Sequence, residues 1–135
     1  AMCEHYFRMV SMLTEVTGCQ IIGHFDLVTK FNEKHPLFDE NHPRYVAAAL
    51  EAVDRLMEKD IIFEINTGAM AKGWKTAPYP APWILNHIAA KGGSVIINSD
   101  CHKADALDFA FDDAFALAQS SGVNILTCPP RLKFR

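Results

Sequence analysis

The feature that most constrains this chain is the regular exchange between short β-branched runs and stretches with helical period. Ser94-Val95-Ile96-Ile97-Asn98 is a run of strand-forming residues too short for a helix. Similar segments stand at 19–23 (Cys19-Gln20-Ile21-Ile22-Gly23), at 60–65 and at 123–127. Between them lie amphipathic stretches. Strands that alternate with helices pair in parallel through right-handed crossovers, so the expectation is an α/β fold with a parallel sheet. No low-complexity tract or linker divides the 135 residues, which are read as a single domain, 1–135.

The first helix is expected over 4–16, with Phe7, Val10, Leu13 and Thr14 on its buried face and Gly18 as its stop. Pro43 begins the second, capped by Asn41 or His42 and burying Tyr45, Val46, Ala49, Leu50, Val53, Leu56 and Met57. Pro82 opens a third that runs through Ile84, Leu85 and Ile88 to Gly92-Gly93, and a fourth is expected over 103–121, burying Leu107, Phe111, Ala114, Phe115 and Ala118. The basic residues 131–135 are expected to fray. Two connections, 27–42 and 68–82, are long for a compact domain, and long ordered connections commonly carry function. His35 and His42, each followed by proline, are read first as loop residues.

Parallel neighbours share their C-terminal edge, and that edge gathers the chemically capable residues. Asp100 and His102 follow the 94–98 strand, His24 follows the first, and Glu64 and Asn66 alternate toward one face at the end of the second. A carboxylate with neutral imidazoles suits divalent metals. The structural alternatives are a helix cap at Asp100 with His102 in the first helical turn, a core or capping histidine at His24, and the solvent face of an edge strand at Glu64 and Asn66. Lys30 lies in the first long connection. Lys72 and Lys75 lie in the second, beside this edge, and could hold a phosphate dianion or be ordinary solvated lysines.

Composition narrows the classes. Net charge is −3 with dispersed basic residues, which gives no stripe for a nucleic-acid backbone, and no apolar run approaches the roughly 20 residues of a membrane span. The N-terminus lacks a signal pattern, so a cytoplasmic location is expected. The four cysteines, Cys3, Cys19, Cys101 and Cys128, never pair closely, which argues against a thiolate zinc site. Cys101 is read as an ordinary small cysteine despite standing between two candidate ligands.

Taken in order, Gly23-His24-Phe25-Asp26-Leu27, Glu64-Ile65-Asn66-Thr67-Gly68, Tyr79-Pro80 and Ser99-Asp100-Cys101-His102 resemble the C-terminal half of the histidinol-phosphatases of the polymerase-and-histidinol-phosphatase (PHP) superfamily. The resemblance runs from about Tyr6 to the end. It implies part of a distorted seven-stranded β/α, TIM-like barrel and a metal-dependent phosphatase acting on histidinol phosphate in histidine biosynthesis. It also implies metal ligation by His24, Asp100 and His102, with zinc, manganese or iron as the cofactor. Glu64, Asn66, Lys30, Lys72 and Lys75 would then support the metals or the small phosphorylated substrate; family members tend to have arginine where Lys72 and Lys75 stand.

The family's first-strand His-x-His pair has no counterpart here, since the one histidine before His24 is His5, within an expected helix. The chain therefore reads as the second half of a barrel, unable to complete a three-metal cluster and weakly active or inactive alone. Two alternatives stand beside that reading: a non-catalytic fragment that binds metal or a partner, and a phosphoesterase for another small phosphate ester or nucleotide. Open strand edges lead to an expectation of self-association into a homo-oligomer.

Overall fold

The computed structural model describes residues 1–127. Cys128 and the basic 131–135 segment lie outside the described residues. Four strands form one parallel sheet in the order β1 (Ile21–Ile22), β2 (Ile62–Asn66), β3 (Ser94–Asn98) and β4 (Asn124–Ile125). The helices α1 (Met2–Thr17), α2 (Pro43–Met57), α3 (Gly68–Ala71), α4 (Pro82–Ala90) and α5 (Phe111–Ser121) lie between or before them. An α/β unit with a four-stranded parallel sheet and alternating helices is consistent with half of a TIM-like barrel.

Each helix starts or stops where its residues dictate. Gly18 takes φ 74° and donates its N–H to the Thr14 carbonyl, closing α1. His42 caps α2 by accepting the Arg44 N–H on Nδ1, one step before the proline that has no donor to satisfy. Gly93 is fixed by space: a Cβ there would stand 2.5 Å from Ile88 Cγ2 and 3.0 Å from the Ile88 carbonyl oxygen.

The core is built on the helix-facing side. Phe7 of α1 meets Phe25 and Tyr45 at centroid distances of 5.3 and 5.4 Å, and Phe25 continues to Phe63 of β2 at 5.7 Å. Phe63, Ile65 and Val95 join Val53, Leu56, Ile84, Leu85 and Ile88 in the same buried cluster. These ring pairs contribute roughly 0.5–1.5 kcal/mol each beyond their burial.

Three expectations change. All five residues of β2 are buried, because β1 and β3 flank it; Glu64 and Asn66 are therefore not on the solvent face of an edge strand. The edges are instead β1 and β4, each only two residues long. The helix expected over 103–121 begins at Phe111, after a 3₁₀ turn at Ala104–Ala106 and a left-handed Ala110 at φ 55°. Leu107 is 66% exposed and Phe115 is also exposed, so the apolar period of 103–110 has no surface to pack against, and Ala114 and Ala118 carry the contact. In α1, Leu13 is exposed and Ser11 is buried, which rotates the buried stripe away from the expected one. Among the described residues, no helix is long and apolar enough to cross a membrane.

Because Phe63 links the aromatic chain to the sheet and is fully buried, Phe63→Ala is expected to lower unfolding free energy by about 3–5 kcal/mol. Urea titration followed by circular dichroism measures it; a loss below about 1 kcal/mol would show that this aromatic chain does not support the fold.

Candidate functional site

β2 and β3 run in register, Glu64 beside Ile96 and Asn66 beside Asn98, so both strands end at the same level. Each terminal asparagine folds back on the chain that follows it. Asn66 Oδ1 accepts the Gly68 N–H at 2.9 Å, and Asn98 Oδ1 accepts the Asp100 N–H at 3.4 Å. These are turns in which a short amide replaces the next backbone partner. Gly68 is required by closeness: a Cβ would lie 2.9 Å from the Ser99 carbonyl oxygen and 3.2 Å from Asp100 Cβ. The turn after β2 is thus pressed against the turn after β3.

Glu64 sits behind both. It is 8% exposed, and its carboxylate receives Asn66 Nδ2, Asn98 Nδ2 at 3.2 Å and the backbone N–H of His24 at 3.4 Å. His24 and Asp100 both have positive φ, 29° and 47°, a region that costs a non-glycine residue about 1 kcal/mol or more. The loop that leaves α3 returns to the same place: Tyr79 bridges Asn66 through two backbone hydrogen bonds, 2.9 and 3.0 Å long, and the His24 and Tyr79 rings approach edge to face at 6.3 Å.

Beyond this network, Asp100 and His102 face a cavity of about 370 Å³ lined also by Lys72, Ser99, Cys101 and Lys103. His102 Nε2 lies 3.9 Å from Asp100 Oδ1, with the side chains 67% and 45% exposed. Asp100 does not cap a helix, since α5 starts only at Phe111. The structure therefore brings Asp100, His102 and Lys72 to one cavity, and His24, Glu64 and Asn66 to the network behind it. Among the described residues, no group of three or more His, Cys, Asp and Glu side chains is arranged to hold a metal ion. A carboxylate and an imidazole are donor types that divalent ions take, but their 3.9 Å separation is wider than the roughly 3.3 Å that two ligands span on a tetrahedral ion, so the pair is a partial, two-donor set and not a closed cage.

The two remaining lysines are placed elsewhere. The Lys75 side chain, 9% exposed, pairs with Glu33 at 3.7 Å, donates to Thr29 Oγ1 at 3.3 Å and lies over the Tyr79 ring. It joins the two long connections to each other. Lys30 Nζ lies 5.2 Å from the Phe31 ring centroid and does not line the cavity.

Sequence reasoning missed Asn98, Lys103 and Asp26. Asn98 had a readable signal, an asparagine two residues before Asp100 just as Asn66 stands two before Gly68. Asp26 is 1% exposed; its Oδ2 accepts the Ala81 N–H at 3.0 Å and its Oδ1 has no partner. Burial pushes its carboxyl up to about 6, against the opposing effects of the Ala81 N–H and the Lys75 charge. The folded chain then holds a proton on Asp26 that the unfolded chain, near 3.8, has released.

Comparison with known proteins finds no matching family model. A probable histidinol-phosphatase of the fission yeast Schizosaccharomyces pombe is 28% identical over 131 residues, 91% of this chain and 39% of that protein. A probable histidinol-phosphatase of Deinococcus radiodurans is 31% identical, over 90% of this chain and 44% of that protein. The histidinol-phosphatase of Bacillus subtilis is 27% identical, over 83% of this chain and 42% of its own length. The chain thus spans about two fifths of the curated relatives it matches, and it is a partial homologue of proteins bearing that name.

The Asp26 contribution to stability is fully present below about pH 4 and is lost as pH rises through about 6. A displacement of about two pH units corresponds to roughly 3 kcal/mol. Asp26→Asn is expected to remove that slope, which urea titrations of both proteins between pH 4 and 7.5 measure as a difference. Parallel curves would show that Asp26 titrates alike in the folded and unfolded chains.

Proposed function

We propose that this chain, a partial homologue of the histidinol-phosphatases, carries one rim of a metal-dependent phosphoester hydrolase acting on a small phosphate monoester of the histidinol phosphate kind. The observation that supports this most is the cavity at the C-terminal ends of β2 and β3, where Asp100 and His102 meet Lys72 and Lys103. In a parallel α/β sheet this is the end at which ligands bind.

Asp100 and His102 would hold a divalent ion such as zinc, manganese or iron. When bound, such an ion supplies charge neutralisation for phosphate oxygens and a bound water of lowered pKa. The chain's own residues do the rest of the positioning. Lys72 and Lys103 line the cavity, and their charges would attract a phosphate dianion as point charges without the bidentate fork of arginine. Lys75 acts at a distance, by holding the 27–42 connection against the 68–82 connection through Glu33 and Thr29.

A second reading is favoured by two findings: the chain spans about two fifths of its relatives, and the described residues supply no three-donor group. On that reading the chain binds an ion at the Asp100–His102 pair without turning substrate over by itself. Elemental analysis, manganese titration and phosphate release from histidinol phosphate separate the two, carried out on this chain and on a version extended by its gene's upstream codons. Phosphate release by the extended protein is expected, with little from the 135 residues alone. No release from the extended protein would sink the phosphatase reading. His102→Ala is expected to weaken manganese binding about tenfold or more, and unchanged binding would remove His102 from the ligand set.

A further inference from the structure

We propose that Glu64 is a positioning residue, and that its one carboxylate latches two turns of the rim, the His24 turn after β1 and the Asp100 turn after β3 that carries the proposed metal donors. The inference rests on the metal reading above for its functional meaning, and on the hydrogen bonds alone for its geometry.

Two residues that begin the turns of the rim share an uncommon backbone state. His24 has φ 29° and Asp100 has φ 47°, and neither is glycine or has a glycine's freedom there. Such conformations persist where the surroundings over-determine them. At His24 the restraint is direct, because its N–H points to Glu64 Oε1 at 3.4 Å. At Asp100 it runs through one intermediary. The Asp100 N–H points to Asn98 Oδ1 at 3.4 Å, and the Nδ2 of that same amide donates to Glu64 Oε2 at 3.2 Å. Asn66 completes the set, donating to Glu64 Oε1 while its own Oδ1 holds the Gly68 N–H.

The orientation of both amides follows from the backbone. The N–H groups of Gly68 and Asp100 can only donate, so the oxygens of Asn66 and Asn98 must face them and the NH₂ groups must face Glu64. Three donors consequently converge on two oxygens. A carboxylate satisfies all of them; a glutamine in its place keeps one acceptor and presents an NH₂ to at least one donor. The buried strand position makes that mismatch costly to relieve by solvent. Glu64 thus couples the ends of three parallel strands, and with them the placement of His24 relative to Asp100.

The arrangement predicts a reciprocal rescue. In Glu64→Gln the amide oxygen stays with the His24 and Asn66 donors, its NH₂ opposes Asn98, and the Asp100 turn is released. Adding Asn98→Asp restores every link with the polarity of one bond reversed: the NH₂ of the introduced glutamine donates to the introduced carboxylate, whose other oxygen accepts the Asp100 N–H. Amide hydrogen exchange measured by NMR reads the turns residue by residue. Relative to interior α2 amides, Asp100 exchange is expected to rise about fivefold in Glu64→Gln, the factor for one ordinary hydrogen bond, and to return within about twofold of the wild type in the double variant. Glu64→Ala should accelerate both the His24 and Asp100 amides. Should that variant not fold, the volume-conserving glutamine pair still decides the matter.

Manganese affinity is expected to follow the same order, weakened in Glu64→Gln and recovered in the double variant. Unchanged exchange at Asp100 in Glu64→Gln, or failure of Asn98→Asp to restore it, would overturn the role of Glu64. His102→Ala tests the metal reading separately: if it leaves manganese binding unchanged, that reading fails while the exchange data still judge the latch.

Discussion

The parallel register of β2 with β3 is the constraint on which the rest of the structure depends. Pairing Ile62 with Ser94 through to Asn66 with Asn98 sets one face of the two strands against the helices and the other face, with Glu64 and Asn66, toward the rim. A slip of one residue would exchange these faces, placing Phe63 and Ile65 where the carboxylate now sits. Core and site are therefore specified together, by alternation along the same five residues.

From that register the rim follows. Two strands ending level place Asn66 and Asn98 side by side, each turning its carbonyl oxygen to the backbone beyond and its NH₂ to Glu64. Gly68 lets the two turns touch, and Tyr79 closes the side of β2 that the two-residue β1 leaves uncovered. Asp26, buried beneath with one unpartnered oxygen, anchors the 68–82 connection through the Ala81 N–H at an energetic cost to the fold above pH 6. The exposed pair Asp100 and His102 stands on this polar base, accessible to a ligand while the backbone of Asp100 is restrained.

Much of this was legible in the residues. Proline at the first helical position marked the starts of α2 and α4, and Gly18 and Gly92 marked the ends of α1 and α4, because each of these signals is local. The gathering of His24, Glu64, Asn66, Asp100 and His102 at the strand ends was legible too, since it follows from parallel topology. The helix at 103–121 was not: its period is genuine, yet residues before Phe111 find no partner surface, and periodicity alone does not supply one. Lys75 was equally opaque, because a lysine in a polar loop looks solvated until Glu33 and Thr29 from another loop are brought beside it.

By itself the sequence determined the alternating α/β order, the caps, the buried stripe of α2 and the residue types at the strand ends, all of which depend on neighbours within a few positions. The ordered motifs likewise pointed to histidinol-phosphatases, in agreement with the relatives that match. Tertiary structure alone decided which polar groups pair: that Glu64 serves the His24 turn and Asn98 together, that Lys75 binds loops to each other, and that Asp26 is buried with an oxygen unpartnered. Hydrogen bonds between segments far apart in the chain depend on register and burial, and neither is written in any one of those segments.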